Sequence, residues 1–310
     1  MNKGDAPRGF ETAREGDWTI VAPSTEMDGA RAFIMRHVAS MASVLAGRSP
    51  ARPGGPAGRG RIFEADDRPG RTLLVKALLR GGLPGKLAGG TYGRQRLVAE
   101  MRIMEEAAAR GVPTARLAFG ALSSPRGRRA AAILATVKLE DAESLAVRIE
   151  QVGLGGSRIR ERNDLLGRAG AAVRLAHDLG LDHCDLNIGN ILIRMETRMP
   201  GGRSDGPLVP DGIADAPGAW LIDLGLSRIG ASLSPGRRAS NLVRLLRSAE
   251  KHMGRDARRG RDAAAFLHGY LAAGDYRGRA LRRPLLAAIR RRLPAITVHR
   301  LGWALQGSRR

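Results

Sequence analysis

Apolar residues recur every three or four positions in several stretches of the chain, which is the spacing of one face of an α-helix. Between residues 95 and 110 this face consists of Leu97, Met101, Met104 and Ala108. Residues 164–179 and 242–249 have the same period, and residues 27–45 have a weaker, mixed form of it. These stretches predict four helices.

Short apolar runs between polar turns predict strands. In the first half of the chain these runs are residues 61–64, 72–79 and 131–139. Two shorter runs, 191–193 and 221–222, flank a long Gly- and Pro-rich segment. Strands therefore dominate before about residue 140 and helices after it. This asymmetry predicts an α+β protein with a small sheet-rich lobe and a larger helical lobe.

The same pattern divides the chain into three parts. Residues 1–28 are polar and are predicted to form an N-terminal tail. Residues 29–138 are predicted to form the sheet-rich lobe, and residues 139–310 the helical lobe with a basic, helical C-terminus. A chain of 310 residues is long enough to bury the core of one large domain or of two lobes.

Net charge is the unusual feature of the composition. The chain has 52 Lys and Arg against 30 Asp and Glu, a net charge of +22. From Arg228 to Arg310 there are 20 basic and four acidic residues, a net of +16. Such a surface attracts polyanions such as nucleic acid or an anionic membrane, although drift towards an Arg-rich composition would give the same excess. Only the charge favours nucleic acid as a partner. The chain has just three Trp and three Tyr and no nucleic-acid-binding motif, so we do not expect it to bind nucleic acid.

The chain also lacks the sequence signs of secretion and of membrane insertion. No apolar run approaches the roughly 18 residues that a spanning helix needs. Residues 1–16 are polar and contain no apolar signal core. The single cysteine, Cys184, excludes an internal disulfide and is compatible with a reducing compartment. We therefore expect a soluble or membrane-surface protein of the cytoplasm.

The candidate chemistry is concentrated in the string His-Cys-Asp-Leu-Asn-Ile-Gly-Asn at residues 183–190 and in a later Asp-Leu-Gly. Phosphoryl transfer needs one carboxylate to accept a proton, and a carbonyl oxygen and a second carboxylate to hold Mg²⁺. Asp185, Asn190 and Asp223 match these roles in that order. His183 is expected to pack and hold the loop. The plainer alternative is a surface turn followed by a buried Asp, but the combined spacing favours a kinase that uses ATP and Mg²⁺.

Other residues match the parts of a kinase that bind nucleotide. Gly58 and Gly60 precede a predicted strand and would let the backbone approach phosphates. Lys76, one of only five lysines, lies in the next predicted strand, and Glu100, beside the apolar face of the following helix, would pair with it. Val137 ends the third strand and would offer backbone groups to adenine. The plainer interpretations are linker glycines and solvent-exposed side chains.

With these residues placed, the chain resembles the lipopolysaccharide kinase family, and within it the 3-deoxy-D-manno-octulosonic acid (Kdo) kinases. The resemblance rests on residues 80–83, 111–114, 141–145 and 238–245, and above all on 183–192. It covers roughly residues 58 to 270. Its most telling element is the Asp-Leu-Asn that begins at Asp185, where protein kinases usually have Asp-Leu-Lys.

The resemblance implies a bilobal, protein-kinase-like fold that transfers the γ-phosphate of ATP to a sugar hydroxyl of the lipid A–Kdo inner core. This acceptor is anionic, and so is the membrane leaflet that carries it. A basic C-terminal lobe would therefore hold the protein on the cytoplasmic face of the bacterial inner membrane. Asp223-Leu224-Gly225 stands where the family usually has Asp-Phe-Asp, Thr136-Val137 stands where it has Thr-Glu, and residues 196–218 are an unusual insertion.

Two alternatives remain open at this point. An atypical Ser/Thr protein kinase, or a small-molecule kinase such as an aminoglycoside phosphotransferase, would use the same ATP chemistry. Asp223-Leu224-Gly225 favours the protein kinase, whereas the absence of an Arg before Asp185 removes the usual anchor for a phosphorylated activation loop. The second alternative is a non-catalytic module with a kinase fold that binds a membrane or nucleic acid.

Overall fold

The computed structural model describes residues 9–46, 62–78, 93–123, 131–153, 158–195, 218–253, 259–273 and 280–293. The chain divides into two compact units. The first unit comprises Met1–Glu105 and Ala115–Leu139, and the second comprises Glu106–Thr114 and Glu140–Arg310. The sequence pattern did not indicate that residues 106–114 group with the second unit.

The first unit is built on a six-stranded sheet. Its strands are β1 (Phe10–Glu15), β2 (Trp18–Pro23), β3 (Ile62–Arg68), β4 (Arg71–Leu78), β5 (Leu117–Ser123) and β6 (Ala131–Val137). The strand order is β1-β2-β5-β6-β4-β3, and each neighbouring pair is antiparallel. Two helices accompany the strands, α1 (Met27–Ala46) and α2 (Arg94–Ala109), and the last four residues of α2 group with the second unit.

An apolar core lies between α1 and the sheet. Phe33 and Ile34 of α1 are fully buried and belong to one cluster with Ile20, Val75 and Ile133 from three different strands. Alternate residues of a strand face the same side of a sheet, which explains how β4 contributes apolar residues to this core from positions two apart. Burying a side chain of this size stabilises the fold by about 1.5–3 kcal/mol. Burial of apolar surface therefore sets the geometry of this unit.

The predicted N-terminal tail over residues 1–28 is wrong for residues 10–23, which form β1 and β2. Trp18 and Ile20 of β2 are buried in the core. The pattern was missed because β1 is an edge strand with Glu and Arg along it, as edge strands commonly have. Strand β5 was not predicted either, since its Ala, Gly and Ser residues have low strand preference, although all seven of its residues are buried.

The second unit is mainly helical. Its helices are α3 (Leu145–Val152), α4 (Ile159–Asp178), α5 (Pro235–Met253), α6 (Arg259–Ala272) and α7 (residues 280–293). Its short strands are β7 (Ala142–Ser144), β8 (Leu181–Asp182), β9 (Ile191–Arg194), β10 (Ala219–Leu221) and β11 (Arg228–Ile229). They form two small antiparallel sheets, β10-β9-β7 and β11-β8.

Helices α4 and α6 approach each other closely at glycines. A Cβ atom at Gly170 would collide with the carbonyl of Phe266, and one at Gly269 would collide with the carbonyl of Gly167. Both collisions involve backbone atoms, so neither can be relieved by a side-chain movement. The close packing of α4 on α6 therefore depends on these two glycines.

The α+β class and the main periodic elements are confirmed. The helix predicted at 95–110 is α2, and the helix predicted at 164–179 is α4, which begins five residues earlier at Ile159. The apolar face predicted for α2 is buried at Leu97, Met101 and Met104. Across the described parts of the chain, no helix has both the length and the apolar character needed to cross a membrane.

Candidate active site

The loop that carries the candidate base lies between two short strands of the second unit. Strand β8 ends at Asp182 and β9 begins at Ile191, with a single 3-10 turn at Ile188–Asn190 between them. The side chain of Asn187 caps this turn, because its Oδ1 accepts hydrogen bonds from the N–H groups of Gly189 (2.9 Å) and Asn190 (3.1 Å). A short side-chain amide suits such a cap. We call residues 183–190 the catalytic loop.

The predicted base and the predicted metal ligand Asn190 are joined by a hydrogen bond. Nδ2 of Asn190 donates to the carbonyl oxygen of Asp185 at 2.9 Å, and Nδ2 of Asn187 donates to the same oxygen at 3.0 Å. Because the amide nitrogen of Asn190 is used in this way, its Oδ1 remains available to a cation. Asp185 itself is exposed to solvent.

His183 links the catalytic loop to the segment before Asp223. Its ring is buried, and Nδ1 accepts a hydrogen bond from the backbone N–H of Asp185 at 3.2 Å. The proton of the neutral ring is therefore on Nε2, which donates to the carbonyl oxygen of Ile222 at 3.1 Å. Burial lowers the pKa of His183, which favours this neutral form. The prediction that His183 holds the loop is confirmed.

Asp223 has a backbone conformation that is uncommon for a residue other than glycine. Its φ angle is +61°, in the left-handed region, where a non-glycine residue is strained. The conformation is fixed on both sides, since the N–H of Ile222 donates to the carbonyl of Asn190 at 3.0 Å and Leu224 is buried. Asp223 is exposed. Backbone contacts thus connect Asp185 and Asn190 with Ile222, which is bonded directly to Asp223 along the chain.

Two of the segments on which the family resemblance rests, residues 111–114 and 141–145, contact the strands beside this network. Leu221, at the end of β10, donates its N–H to the carbonyl of Pro113 at 2.8 Å and accepts a hydrogen bond from Oγ1 of Thr114 at 2.7 Å. Ser144 ends β7, which pairs with β9, and its Oγ caps α3 by accepting from the N–H of Val147 at 3.3 Å. Both segments therefore stabilise the strands that flank the catalytic loop and Asp223.

The predicted nucleotide-binding residues that are described lie in the first unit. Lys76 is in β4, where it is paired with Leu134 of β6, and Glu100 is buried in α2. Further along the same helix, Glu106 is exposed and forms an ion pair with Arg110, whereas the burial of Glu100 agrees with an inward position. A direct pairing of Lys76 with Glu100 stays a prediction.

The remaining predicted nucleotide contacts are Val137 and the glycine pair Gly58 and Gly60. The N–H of Val137 donates to the carbonyl of Arg116 at 2.9 Å, so in this structure only its carbonyl is left to contact adenine. Gly58 and Gly60 lie outside the described residues.

The donor atoms at the site fit magnesium. The amide oxygen of Asn190 and the carboxylate of Asp223 are hard oxygen ligands of the kind that Mg²⁺ prefers. Within the residues that the structure describes, no cluster of three or more His, Cys, Asp and Glu side chains could hold a metal by itself. Mg²⁺ commonly binds through one or two protein ligands and completes its shell with water and substrate phosphates.

The sequence reasoning missed residues that contact the catalytic loop from elsewhere in the second unit. The N–H of Cys184 donates to Oγ of Ser227 at 3.3 Å, and the N–H of His183 donates to Oδ1 of Asn241 at 3.0 Å. Nη1 of Arg244 donates to the carbonyl of His183 at 3.1 Å. The one available signal was that residues 238–245 resemble the family.

Comparison with known proteins shows which family the chain matches. Residues 55–270 match the model of the lipopolysaccharide kinase (Kdo/WaaP) family. The 3-deoxy-D-manno-octulosonic acid kinase of Xanthomonas axonopodis pv. citri (strain 306) is 33% identical over 217 residues, 67% of this chain and 73% of that protein. The enzyme of the same name from Stenotrophomonas maltophilia (strain R551-3) is 33% identical over 213 residues, 66% of this chain and 72% of that protein. WaaP in complex with acyl carrier protein matches 76% of this chain and 85% of its own, at 20% identity and a TM-score of 0.43.

An α+β chain with this loop and these relatives is a phosphotransferase that acts on an alcohol group. The chain belongs to the lipopolysaccharide kinase (Kdo/WaaP) family. It is therefore a kinase of the lipopolysaccharide core.

Proposed function

We propose that the protein transfers the γ-phosphoryl group of ATP to a sugar hydroxyl of the lipopolysaccharide inner core, with Kdo–lipid A as the type of acceptor. The observation that carries this proposal is the hydrogen-bonded network that joins Asp185 and Asn190 to Ile222, the residue directly before Asp223. These residues supply the base and the cation ligands that such a transfer needs.

In the proposed reaction the acceptor hydroxyl attacks the γ-phosphorus. Its proton passes to the carboxylate of Asp185, the new P–O bond forms, and the bond to the β,γ-bridging oxygen breaks to release ADP. The two side-chain amides that bind the carbonyl of Asp185 hold its backbone, so the carboxylate is presented from a fixed point. A positioned base of this kind contributes about 10²- to 10⁴-fold in rate.

Asn190 and Asp223 would hold Mg²⁺ through Oδ1 and the carboxylate. When bound, the ion neutralises the charge on the β- and γ-phosphate oxygens. Lys76 would bind the α- and β-phosphates, and Glu100 would hold the ammonium group of Lys76 in place. Val137 would offer its carbonyl oxygen to the amino group of adenine.

An apolar cavity in the second unit supports a lipid-linked acceptor. The cavity has a volume of about 620 Å³ and includes Ile188 of the catalytic loop in its wall. Other apolar residues of the wall are Leu145, Ile149, Leu166, Leu242 and Phe266. A cavity of this size and lining suits an acyl chain, which Kdo–lipid A carries and a protein acceptor does not.

The cavity can be tested by partly filling it. Ala263 of α6 lies in its wall, and the exposed Ala264 beside it does not. Ala263→Trp should raise KM for Kdo–lipid A and leave KM for the deacylated acceptor unchanged, with Ala264→Trp as the matched control. Equal effects on both acceptors would remove this support for a lipid-linked substrate.

The basic C-terminal part would hold the enzyme on an anionic, cytoplasmic membrane surface. Each Lys or Arg near such a surface contributes about 1 kcal/mol. Arg282 and Arg283 of α7 are exposed, and replacing both by Glu should weaken binding to liposomes that contain anionic lipid. Failure of the wild-type protein to sediment with such liposomes at physiological salt would contradict membrane docking without touching the kinase assignment.

The first experiment incubates the purified protein with γ-labelled ATP, Mg²⁺ and Kdo–lipid A, in parallel with Asp185→Ala and with a generic protein substrate. Label in the glycolipid that is lost in the variant supports the proposed acceptor and the proposed base together. Label only in the protein substrate would move the assignment to a Ser/Thr kinase. Bound ATP with no transfer to either acceptor would favour a binding module.

A further inference from the structure

Three polar residues of α5 contact the backbone of the catalytic loop. Oδ1 of Asn241 accepts from the N–H of His183 at 3.0 Å, and Nη1 of Arg244 donates to the carbonyl of His183 at 3.1 Å. Oγ of Ser248 accepts from the N–H of Ile188 at 3.3 Å. The helix thus holds the loop on both sides of Asp185.

The spacing of these residues explains how one helix reaches two points of the loop. Positions 241, 244 and 248 are three and then four residues apart, so the side chains lie on one face of α5, in line along its axis. Asn241 and Ser248 are about 10 Å apart along that axis, from the rise of 1.5 Å per residue. A rigid element therefore sets the separation between the start of the loop and its 3-10 turn.

Asn241 is the most constrained of the three. Its side chain is 1% exposed, and its Nδ2 donates to Oδ1 of Asp182 at 2.7 Å. One buried amide thus binds both the last residue of β8 and the first residue of the catalytic loop. A buried amide that loses these partners leaves the loop N–H unsatisfied, which is costly.

The helix that carries these residues is itself fixed. Arg238, one turn before Asn241, is buried and donates to Oδ1 of Asp178 at 2.7 Å and to the carbonyl of Leu233 at 2.7 Å. It also donates to the hydroxyl of Tyr270 at 3.2 Å. These bonds tie α5 to α4 and α6, so a movement of α5 relative to the loop is opposed.

We propose that Asn241, Arg244 and Ser248, the loop clamp, are positioning residues that fix the backbone from which Asp185 and Asn190 act. The clamp residues act through the loop and contact neither nucleotide nor acceptor. This inference rests on the proposed roles of Asp185 and Asn190. In this proposal α5 positions the catalytic loop and supplies no group to the reaction.

The test compares Asn241→Ala, Arg244→Gln and Ser248→Ala with two controls on the same helix. Arg247→Gln removes the same charge as Arg244→Gln, and Ser240→Ala removes the same hydroxyl as Ser248→Ala. For the clamp variants kcat should fall about 10- to 100-fold while KM for ATP stays unchanged, because a displaced base slows the reaction without weakening binding. The controls should keep the wild-type kcat.

Loss of folding is separated from loss of positioning by a donor–acceptor swap. Asn241→Asp places a carboxylate beside Asp182 and should lower kcat, whereas Asn241→Asp with Asp182→Asn restores one donor and one acceptor between the two positions. The double variant also keeps an acceptor for the N–H of His183. It should recover most of the lost kcat. If the clamp variants and the controls have equal kcat, the inference is overturned.

Amide hydrogen exchange gives a readout that needs no activity. The N–H groups of His183 and Ile188 are donors to the clamp, so both should exchange faster in Asn241→Ala and Ser248→Ala respectively, at matched fractions folded. Unchanged exchange at both amides would overturn the clamp. Protected amides in a wild-type protein that does not phosphorylate Kdo–lipid A would instead leave the clamp in place and contradict the proposed acceptor.

Discussion

The interior of the first unit is almost entirely apolar, whereas the interior of the second unit contains a set of polar and charged side chains. Among the described residues, the polar or charged residues of the first unit that are buried as a whole are Glu100 and Ser123. Those of the second unit are Thr114, Arg162, Arg174, His177, His183, Ser227, Arg238 and Asn241. The unit that carries the catalytic loop is thus the one with the polar interior.

This difference follows from what each interior has to specify. Apolar contacts are non-directional, and a core of about the right volume tolerates exchanges among similar side chains. Buried polar groups need partners at defined distances and angles, and each unpaired group is costly. A polar interior therefore fixes the backbone of the catalytic loop more narrowly than an apolar one would, at the cost of less tolerance to substitution.

The largest expected effect is on the reaction itself. Asp185→Asn removes the proposed proton acceptor, so kcat should fall about 10²- to 10⁴-fold. The residue is exposed, so the melting temperature should be unchanged. The measurement is initial rate with Kdo–lipid A together with thermal melting. Asp17→Asn, an exposed position in the first unit, is the control, and an equal rate for both variants would contradict the role of Asp185.

The next effect tests the polar interior directly. Arg162 of α4 forms an ion pair with Asp262 of α6 at 2.7 Å, with side chains 8% and 13% exposed. Arg162→Met leaves the carboxylate without its partner and should lower the free energy of unfolding by about 3–5 kcal/mol. Adding Asp262→Leu should recover much of this loss, since an apolar pair of similar volume is often neutral. Urea unfolding measures both, and a single variant as stable as wild type would break the comparison.

A smaller effect comes from acid. Burial, together with the nearby charge of Arg238, lowers the pKa of His177 to about 3, and burial also lowers that of His183. Above about pH 6.5 a histidine is neutral in both the folded and unfolded chain and contributes nothing. As the pH falls below this value the unfolded chain binds a proton that the folded chain does not, so stability falls by up to about 1.4 kcal/mol per pH unit per histidine.

His177→Gln should flatten this acid dependence. Urea unfolding between neutral pH and about pH 4.5 would show a smaller loss of stability in the variant than in wild type. Nδ1 of His177 and the hydroxyl of Tyr270 share a hydrogen bond of 2.8 Å, and burial raises the pKa of Tyr270 to about 12. The variant loses this bond, so it is compared with wild type by slope and not by absolute stability. Identical slopes would contradict a neutral, buried His177.

The smallest effect belongs to the apolar interior. Ile34→Val removes one methylene group from the core of the first unit and should lower the free energy of unfolding by about 0.5–1.5 kcal/mol. The contacts that this substitution removes are non-directional and lie in the first unit, so kcat should stay at the wild-type value. A large loss of kcat at unchanged stability would show that the first unit also depends on exact packing.

The same contrast explains what could be predicted from the sequence. Helix α2 was predicted correctly because its buried residues repeat at a helical period, and Asp185, Asn190 and Asp223 could be proposed as site residues because their spacing follows the chemistry. Both signals are local. Strand β1 was missed because its edge position makes its outer face polar.

The contacts of Asn241 could not be predicted from the sequence, for a different reason. It is buried by contact with His183, which is 58 positions away in the chain. No local pattern separates such an Asn from a solvent-exposed one on the polar face of a helix. Its role depends on which segments meet in the folded protein, and only the structure supplies that.

Cys184 lies exposed between His183 and Asp185 and is the only cysteine among 310 residues. A thiol-reactive fluorophore or spin label therefore attaches at one defined position of the native sequence, with no engineered substitution. Its backbone N–H is held by Ser227, so the label reports from an anchored segment. The native protein thus has a single site for a spectroscopic probe, one residue from its proposed base, and a probe there can be used to measure the kinetics of ligand binding.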